Sequence, residues 1–368
     1  MAKRTGVASS ERNGSRIDRL RAQMKSRSLD AVLVTHLPHI RYLCGFSGSA
    51  GLMLVTRNEA VFITDFRYQE QIATELQSGV RAIIDKAPYE RMKSDGLIVA
   101  GMTVGYQEDN LTVAAFDSIR KKLRKVRFEA AGSLLQQLAM IKTASEIATM
   151  RKAATIAARV YTEILEFVQP GMRETDVAAE ISYRGRKHGA DGDAFDVIVA
   201  SGPRGALPHG RASKRKIRKG ELVTLDFGFR YNGFNSDMTR TFAVGKPSDE
   251  ARRVYDVVLR AQKKGVAAAR AGMSGKALDD VCRDEIVAAG YGSQFGHSTG
   301  HGLGIEVHES PYVAAKGGDH ILAENMVVTI EPGIYLPGKL GVRIEDDIVI
   351  GKDRSRSLTT SPKDLIIV

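Results

Sequence analysis

One pattern occurs twice in the C-terminal part of the chain, and this duplication restricts the architecture more than composition does. FVQPGMRETDVAAEISYRGRKHGADGDAF, Phe167–Phe195, runs helix end, Gly-Met, second helix, glycine pair, phenylalanine. AARAGMSGKALDDVCRDEIVAAGYGSQF, Ala268–Phe295, repeats that order roughly 100 residues later. Each copy leads into an acidic β-run, VTLDFG at Val223–Gly228 and VTIEPG at Val328–Gly333, so Asp226 and Glu331 correspond. A second acidic strand follows each, NSDMTRTFAV with Asp237 and GVRIEDDIVI with Glu345. Two copies of so long a unit do not make a solenoid; they predict a pseudo-twofold domain of two α/β halves, with a site between them fed by both.

A carboxylate within a Val/Ile/Leu strand costs several kcal/mol of desolvation, on the order of what a buried ion loses, unless a positive group offsets it. Four such carboxylates stand here, and Arg240 and Arg343 are the nearby strand-borne cations. Two arginines balance half of that charge, whereas a pair of divalent cations balances all of it. Histidine usage agrees: His209 lies in ALPHGRAS, and His297, His301 and His308 lie in GHSTGHGLGIEVHES. Gly300, Gly302 and Gly304 argue against an H-x-x-x-H zinc helix and predict a strand or tight loop instead. A single strand histidine is ordinarily a hydrogen-bonded core residue; beside four misplaced carboxylates, metal ligation is the better reading.

Upstream, β-rich runs at Asp30–Thr35, Leu52–Thr56, Ala60–Thr64 and Ala82–Lys86 alternate with helical stretches such as Tyr68–Ser78 and Phe116–Lys125, the texture of a separate α/β domain. A long helix is then expected over Ser145–Val168 with Ser145 as its N-cap, a second over Glu174–His188, and a strand over Asp196–Gly202. The expected organisation is a flexible basic tail 1–16, an N-terminal domain 17–135 and a catalytic domain 140–368. A length of 368 residues suits two domains. The net charge of +11 invites nucleic acid, but five of those charges fall within residues 1–26, and the basic clusters Arg120–Arg127 and Lys214–Lys219 lack interleaved aromatics for stacking bases. Cys44 and Cys282 show no C-x-x-C spacing and read as buried small hydrophobes. No apolar run is long enough to span a bilayer and no secretory signal opens the chain, so no membrane association and a cytoplasmic location are expected.

The residues closely resemble the Xaa-Pro peptidases, aminopeptidase P and Xaa-Pro dipeptidase (prolidase), of the pita-bread metallopeptidase group. The resemblance runs through ALPHG, LVTLDFGFRYNGFNSDMTRTFAVGKPS, FGHSTGHGLGIEVHE, MVVTIEPGIY and GVRIEDDIVI in order, and more weakly through RYLCGFSGSAG and FITDFRYQEQ. It implies a creatinase/prolidase-like N-terminal domain, a pita-bread catalytic domain, and a homodimer acting on proline-containing peptides. It also implies a dinuclear site in which Asp237 and Glu345 bridge two metals, Asp226 completes one shell, and His301 with Glu331 completes the other. Glu331 would shuttle a proton to the departing proline nitrogen, His209 and His308 would flank the scissile bond, Arg343 would sit beside Glu345, and His297 would support the glycine-rich motif. An oxygen-rich set with one histidine suits Mn²⁺ first, with Co²⁺ or Zn²⁺ as alternatives. This chain departs from the motif at Ser298, where the family pattern has glycine, a change expected to shift the loop or narrow the pocket.

Nucleophilic hydrolysis by serine or cysteine has no G-x-S-x-G and no cysteine–histidine arrangement behind it. GFSGSAG and GHGLG lack the strand, G-x-G-x-x-G and helix order of a phosphate loop and read as turns. Release of an N-terminal residue from longer peptides is the expected activity, with splitting of Xaa-Pro dipeptides as the alternative. A non-catalytic pita-bread binding module would be marked by lost ligands, and none is lost.

Overall fold

The computed structural model describes residues 15–368, so most of the expected tail lies outside the described residues. Its last two positions are ordered. Ser15 caps the helix Arg16–Ser26 through a capping box with Asp18. The chain divides into two compact units, one ending at Ala139 and the other beginning at Met140. That division lies near the end of the helix Gly132–Met140, which the expected boundary at 135 would cut.

The N-terminal unit is a six-stranded mixed sheet in the order Arg81–Ile84, Ala60–Thr64, Leu52–Thr56, Ala31–Val34, Thr103–Tyr106, Arg127–Ala130. The central strand pairs antiparallel with Leu52–Thr56 and parallel with Thr103–Tyr106. Its four residues are all buried, as expected for a strand covered on both faces. Cys44 is a buried free thiol of this unit, and Cys282 is one of the C-terminal unit.

The duplication read from sequence is present in the C-terminal unit. A long helix, Ala144–Phe167, and a shorter one, Glu174–Lys187, precede the sheet Met238–Val244, Glu221–Phe227, Ile198–Ser201. Asp249–Ala268 and Gly275–Ala288 precede a five-stranded sheet that contains Gly300–Gly302, Val327–Ile330 and Asp346–Val349 as consecutive neighbours. The first long helix is capped by Thr143, whose hydroxyl accepts from Glu146 N while the Glu146 carboxylate accepts from Thr143 N. Ser145, the expected cap, falls inside the first turn: Thr143 has glutamate at its third helical position and can close a reciprocal box, and Ser145 cannot. Apolar faces of the first helix pair close over Phe227, Phe229 and Phe242, and Val254 and Val258 of the second long helix close over Ile334, Val342 and Ile344.

Candidate metal centre

Three of the four acidic positions lie not within strands but just beyond their ends. Asp226 is inside Glu221–Phe227, whereas Asp237 precedes Met238–Val244, Glu331 follows Val327–Ile330, and Glu345 lies between Leu340–Arg343 and Asp346–Val349. Backbone bonds bring these ends together. Asp226 pairs in register with Thr239, Glu345 N donates to Thr239 O (3.1 Å), and Glu331 N donates to Thr299 O (2.7 Å). His301 sits in the short strand Gly300–Gly302, as a strand or tight loop was expected to hold it. Glycine is required on both sides: a Cβ on Gly300 would lie 1.9 Å from Thr329 O, and one on Gly302 2.4 Å from Ser310 O.

All nine residues singled out from sequence line one cavity of about 490 Å³: His209, Asp226, Asp237, His297, His301, His308, Glu331, Arg343 and Glu345. Ser298 lines it too. Asp237, His301 and Glu345 offer donor atoms all within 4.8 Å of one another. His301 Nε2 is 3.8 Å from Asp237 Oδ2 and 3.5 Å from Glu331 Oε1. Because Gly302 O can only accept, the 3.0 Å contact from His301 Nδ1 places the ring proton there and turns the Nε2 lone pair toward the carboxylates. Burial, with His308 adding to it, holds the His301 pKa down at about 4, so the ring is neutral.

The carboxylates show the complementary strain. Burial and then the neighbouring acids push Asp237 well above the usual carboxylate range; burial, led among the charges by Glu345, does the same to Glu331; burial and Asp226 push Glu345 up to about 8. Asp226 Oδ1 and Asp237 Oδ1 are buried with no hydrogen-bond partner among the described residues. Unmatched acceptors, repelling carboxylates and one oriented imidazole are the donor set that a divalent cation satisfies.

Several contributors were not read from sequence. Thr239 donates its hydroxyl to Glu345 Oε2 (2.7 Å) and accepts from Arg343 Nε (3.1 Å). Tyr335 accepts from Arg343 Nη1 and its hydroxyl contacts His297 Nε2, both at 2.8 Å, while His297 Nδ1 donates to Ser298 O (2.7 Å). That order leaves only one polarity: Arg343 to Tyr335, Tyr335 to His297, His297 to the Ser298 carbonyl. Burial, followed by Arg343, keeps His297 neutral by lowering it to about 4, and burial pushes the Tyr335 phenol up to about 12. Asp347, buried behind the site, accepts from Asp237 N (3.0 Å). Asp279 accepts from Thr299 N (3.0 Å) and pairs with Arg283, which donates to His297 O (2.9 Å), so this acid pins the glycine-rich strand from behind. Arg343 itself reaches Asp226 Oδ2 at 2.6 Å and Pro208 O at 3.1 Å.

Residues 148–352 match the model of metallopeptidase family M24, and residues 16–141 match that of the creatinase/prolidase N-terminal domain. The chain is 44% identical over 354 residues to the uncharacterised peptidase YqhT of Bacillus subtilis, covering 96% of this chain and 100% of that one. Among solved structures, the Xaa-Pro dipeptidase from Bacillus anthracis superposes with a TM-score of 0.90 at 42% identity, covering 96% and 99% of the two chains. The X-Pro aminopeptidase from Thermotoga maritima superposes with a TM-score of 0.89 at 37% identity, covering 96% and 100%. The two-part α/β architecture, with a pita-bread catalytic domain, is thereby shared over nearly the whole length. With both domains matched and the acidic centre intact between the duplicated halves, the chain belongs to metallopeptidase family M24.

Proposed function

We propose that this chain is a dinuclear-metal peptidase that hydrolyses the Xaa-Pro bond at the N-terminus of peptides. The observation that supports this most is the gathering of Asp226, Asp237, His301, Glu331 and Glu345 in one cavity, with buried carboxylate oxygens left unmatched. In this reading Asp226, Asp237, His301, Glu331 and Glu345 would together hold two divalent cations. Mn²⁺ is the first expected occupant, ahead of Co²⁺ or Zn²⁺. Bound there, such ions supply a nucleophile at neutral pH and polarise the scissile carbonyl.

The side chains do the rest. Glu331 takes a proton from the attacking water and delivers it to the proline nitrogen, which must leave as an amine. His209 and His308, exposed on the cavity wall, donate hydrogen bonds to the oxygen on which negative charge develops. Arg343 has its guanidinium engaged with Asp226, Thr239, Tyr335 and Pro208, so it acts as a positioning residue rather than touching substrate. His297 closes that same chain of hydrogen bonds. The Xaa-Pro preference is supported by the dipeptidase and aminopeptidase relatives, and by an apolar lining of Phe195, Ile198, Val307 and Tyr312. An X-Pro bond is a tertiary amide without an N–H, so recognition falls to shape and apolar contact.

A cytoplasmic homodimer remains part of the proposal. Free, buried thiols suit a reducing compartment, and Phe66, 77% exposed on the N-terminal unit, offers apolar surface to a second copy. The test of the activity is incubation of Mn²⁺-loaded protein with Gly-Pro and Arg-Pro-Pro, read by released amino acid. Cleavage at the Xaa-Pro bond of either is expected, with loss in Asp237→Ala; an inert loaded protein, or an unimpaired variant, defeats the reading.

A further inference from the structure

His209 reaches the cavity from a loop. The strand Ile198–Ser201 ends at Ser201, the chain leaves the sheet over residues 202–212, and Arg211 bridges back to Ile198. The His209 ring is exposed, so its position follows from the backbone that carries it rather than from packing around it. A catalytic side chain on a loop is only as well placed as the loop is rigid.

One buried carboxylate closes the neck of this loop. Glu174, the first residue of the helix Glu174–Lys187, is fully buried and accepts hydrogen bonds from both flanks. Its Oε1 accepts from Ser201 N and Ser201 Oγ, both at 2.8 Å. Its Oε2 accepts from Ser213 N (3.1 Å), Ser213 Oγ (2.6 Å) and Arg204 Nε (3.0 Å). Arg204 carries the hold into the loop, since its Nη2 donates to Arg211 O (2.6 Å), just beyond His209. Just before His209, Pro208 O accepts from Arg343 (3.1 Å). The backbone of His209 is thus tied on one side to the arginine of the metal centre and on the other to Glu174. The duplication shows that the helix does not itself need this acid. Aligning Gly171-Met172 with Gly272-Met273 places the N-caps Arg173 and Ser274 opposite each other, and Glu174 opposite Gly275. The second half keeps its helix with no side chain at that position, so the acid belongs to the half that carries His209.

We infer that Glu174, acting through Arg204, Ser201 and Ser213, is the positioning residue for His209, fixing the loop 202–212 so that the imidazole meets the scissile bond in one orientation. The role given to His209 rests on the peptidase reading above. Glu174 is not among the residues lining the cavity, so it acts on substrate only through the loop.

The test substitution, Glu174→Gln, is close to isosteric but cannot replace the acid. Each carboxylate oxygen faces a backbone N–H, so whichever way the new amide is turned, its NH₂ opposes one of them. In Mn²⁺-loaded protein, with whichever of Gly-Pro and Arg-Pro-Pro is cleaved, the variant should lose about tenfold or more in kcat while KM stays within about twofold, as misplacement of a catalytic group does. The same substitution made in His209→Asn should change kcat by less than about twofold, because the group it misplaces is already gone. Glu174→Asp should recover part of the loss. Arg204→Leu, at a partly exposed position, should repeat the pattern and serves where Glu174→Gln does not fold. Equal factors with and without His209 overturn the inference, since a residue that only supports the fold costs the same in both backgrounds. Amide exchange read by mass spectrometry needs no turnover: Glu174→Gln should speed exchange over 202–212 and leave the sheets unchanged, and unaltered exchange in that loop also overturns the inference. Protein that leaves both peptides intact while exchange rises in the loop keeps the clasp and defeats the peptidase reading.

Discussion

Tyr335 shows how much of the centre depends on residues that hold no metal and touch no substrate. Its phenol connects Arg343 to His297, and Arg343 is the cation that steadies Asp226. Tyr335→Phe removes only an oxygen, yet leaves a buried N–H and a buried imidazole nitrogen without that partner, a change worth about 1–3 kcal/mol. We expect lower urea stability by that amount, together with a fall of about tenfold in kcat at little changed KM, because the residue positions rather than binds. An unchanged kcat in a folded variant would remove Tyr335 from the supporting set. Tyrosine and threonine are ordinary strand residues, so neither Tyr335 nor Thr239 carries a sequence signal. The acidic positions do carry one, since a carboxylate surrounded by Val, Ile and Leu is too costly to bury without a cation beside it.

At the level of elements, the duplication allowed each helix pair and each acidic strand of one half to be matched with its counterpart in the other. Placement along the strands was harder to read. Asp237, Glu331 and Glu345 stand where strands end, because the donors must converge across the seam instead of alternating across a pleat. Alternation of apolar residues does not mark that transition. Helix starts were misplaced by the same kind of ambiguity: Thr143 and Ser145 are both good caps in isolation, and only the glutamate three residues on selects Thr143. Thr143→Ala should therefore cost about 1 kcal/mol in chemical denaturation, while Ser145→Ala should stay within a few tenths. The reverse order would contradict the assigned cap.

For the molecule as a whole, the buried acids make metal content and stability one problem. Without cations, the folded state holds protons on Glu345 up to about pH 8, whereas the unfolded chain releases them near 4.5. Between those values the folded form binds more protons, so stability of the stripped protein falls as pH rises through the window. Asp237 and Glu331 shift in the same direction and deepen the effect. Thermal unfolding after chelation should show Tm dropping from pH 5 to pH 8, and Mn²⁺ restoring it most at the higher pH; a pH-independent gap would argue against buried, mutually repelling carboxylates. The most direct measurement is anomalous diffraction at the manganese edge from crystals grown with Mn²⁺. Two peaks per chain enclosed by Asp226, Asp237, His301, Glu331 and Glu345 are predicted, and no peak there, or density bound only elsewhere, would contradict a dinuclear centre.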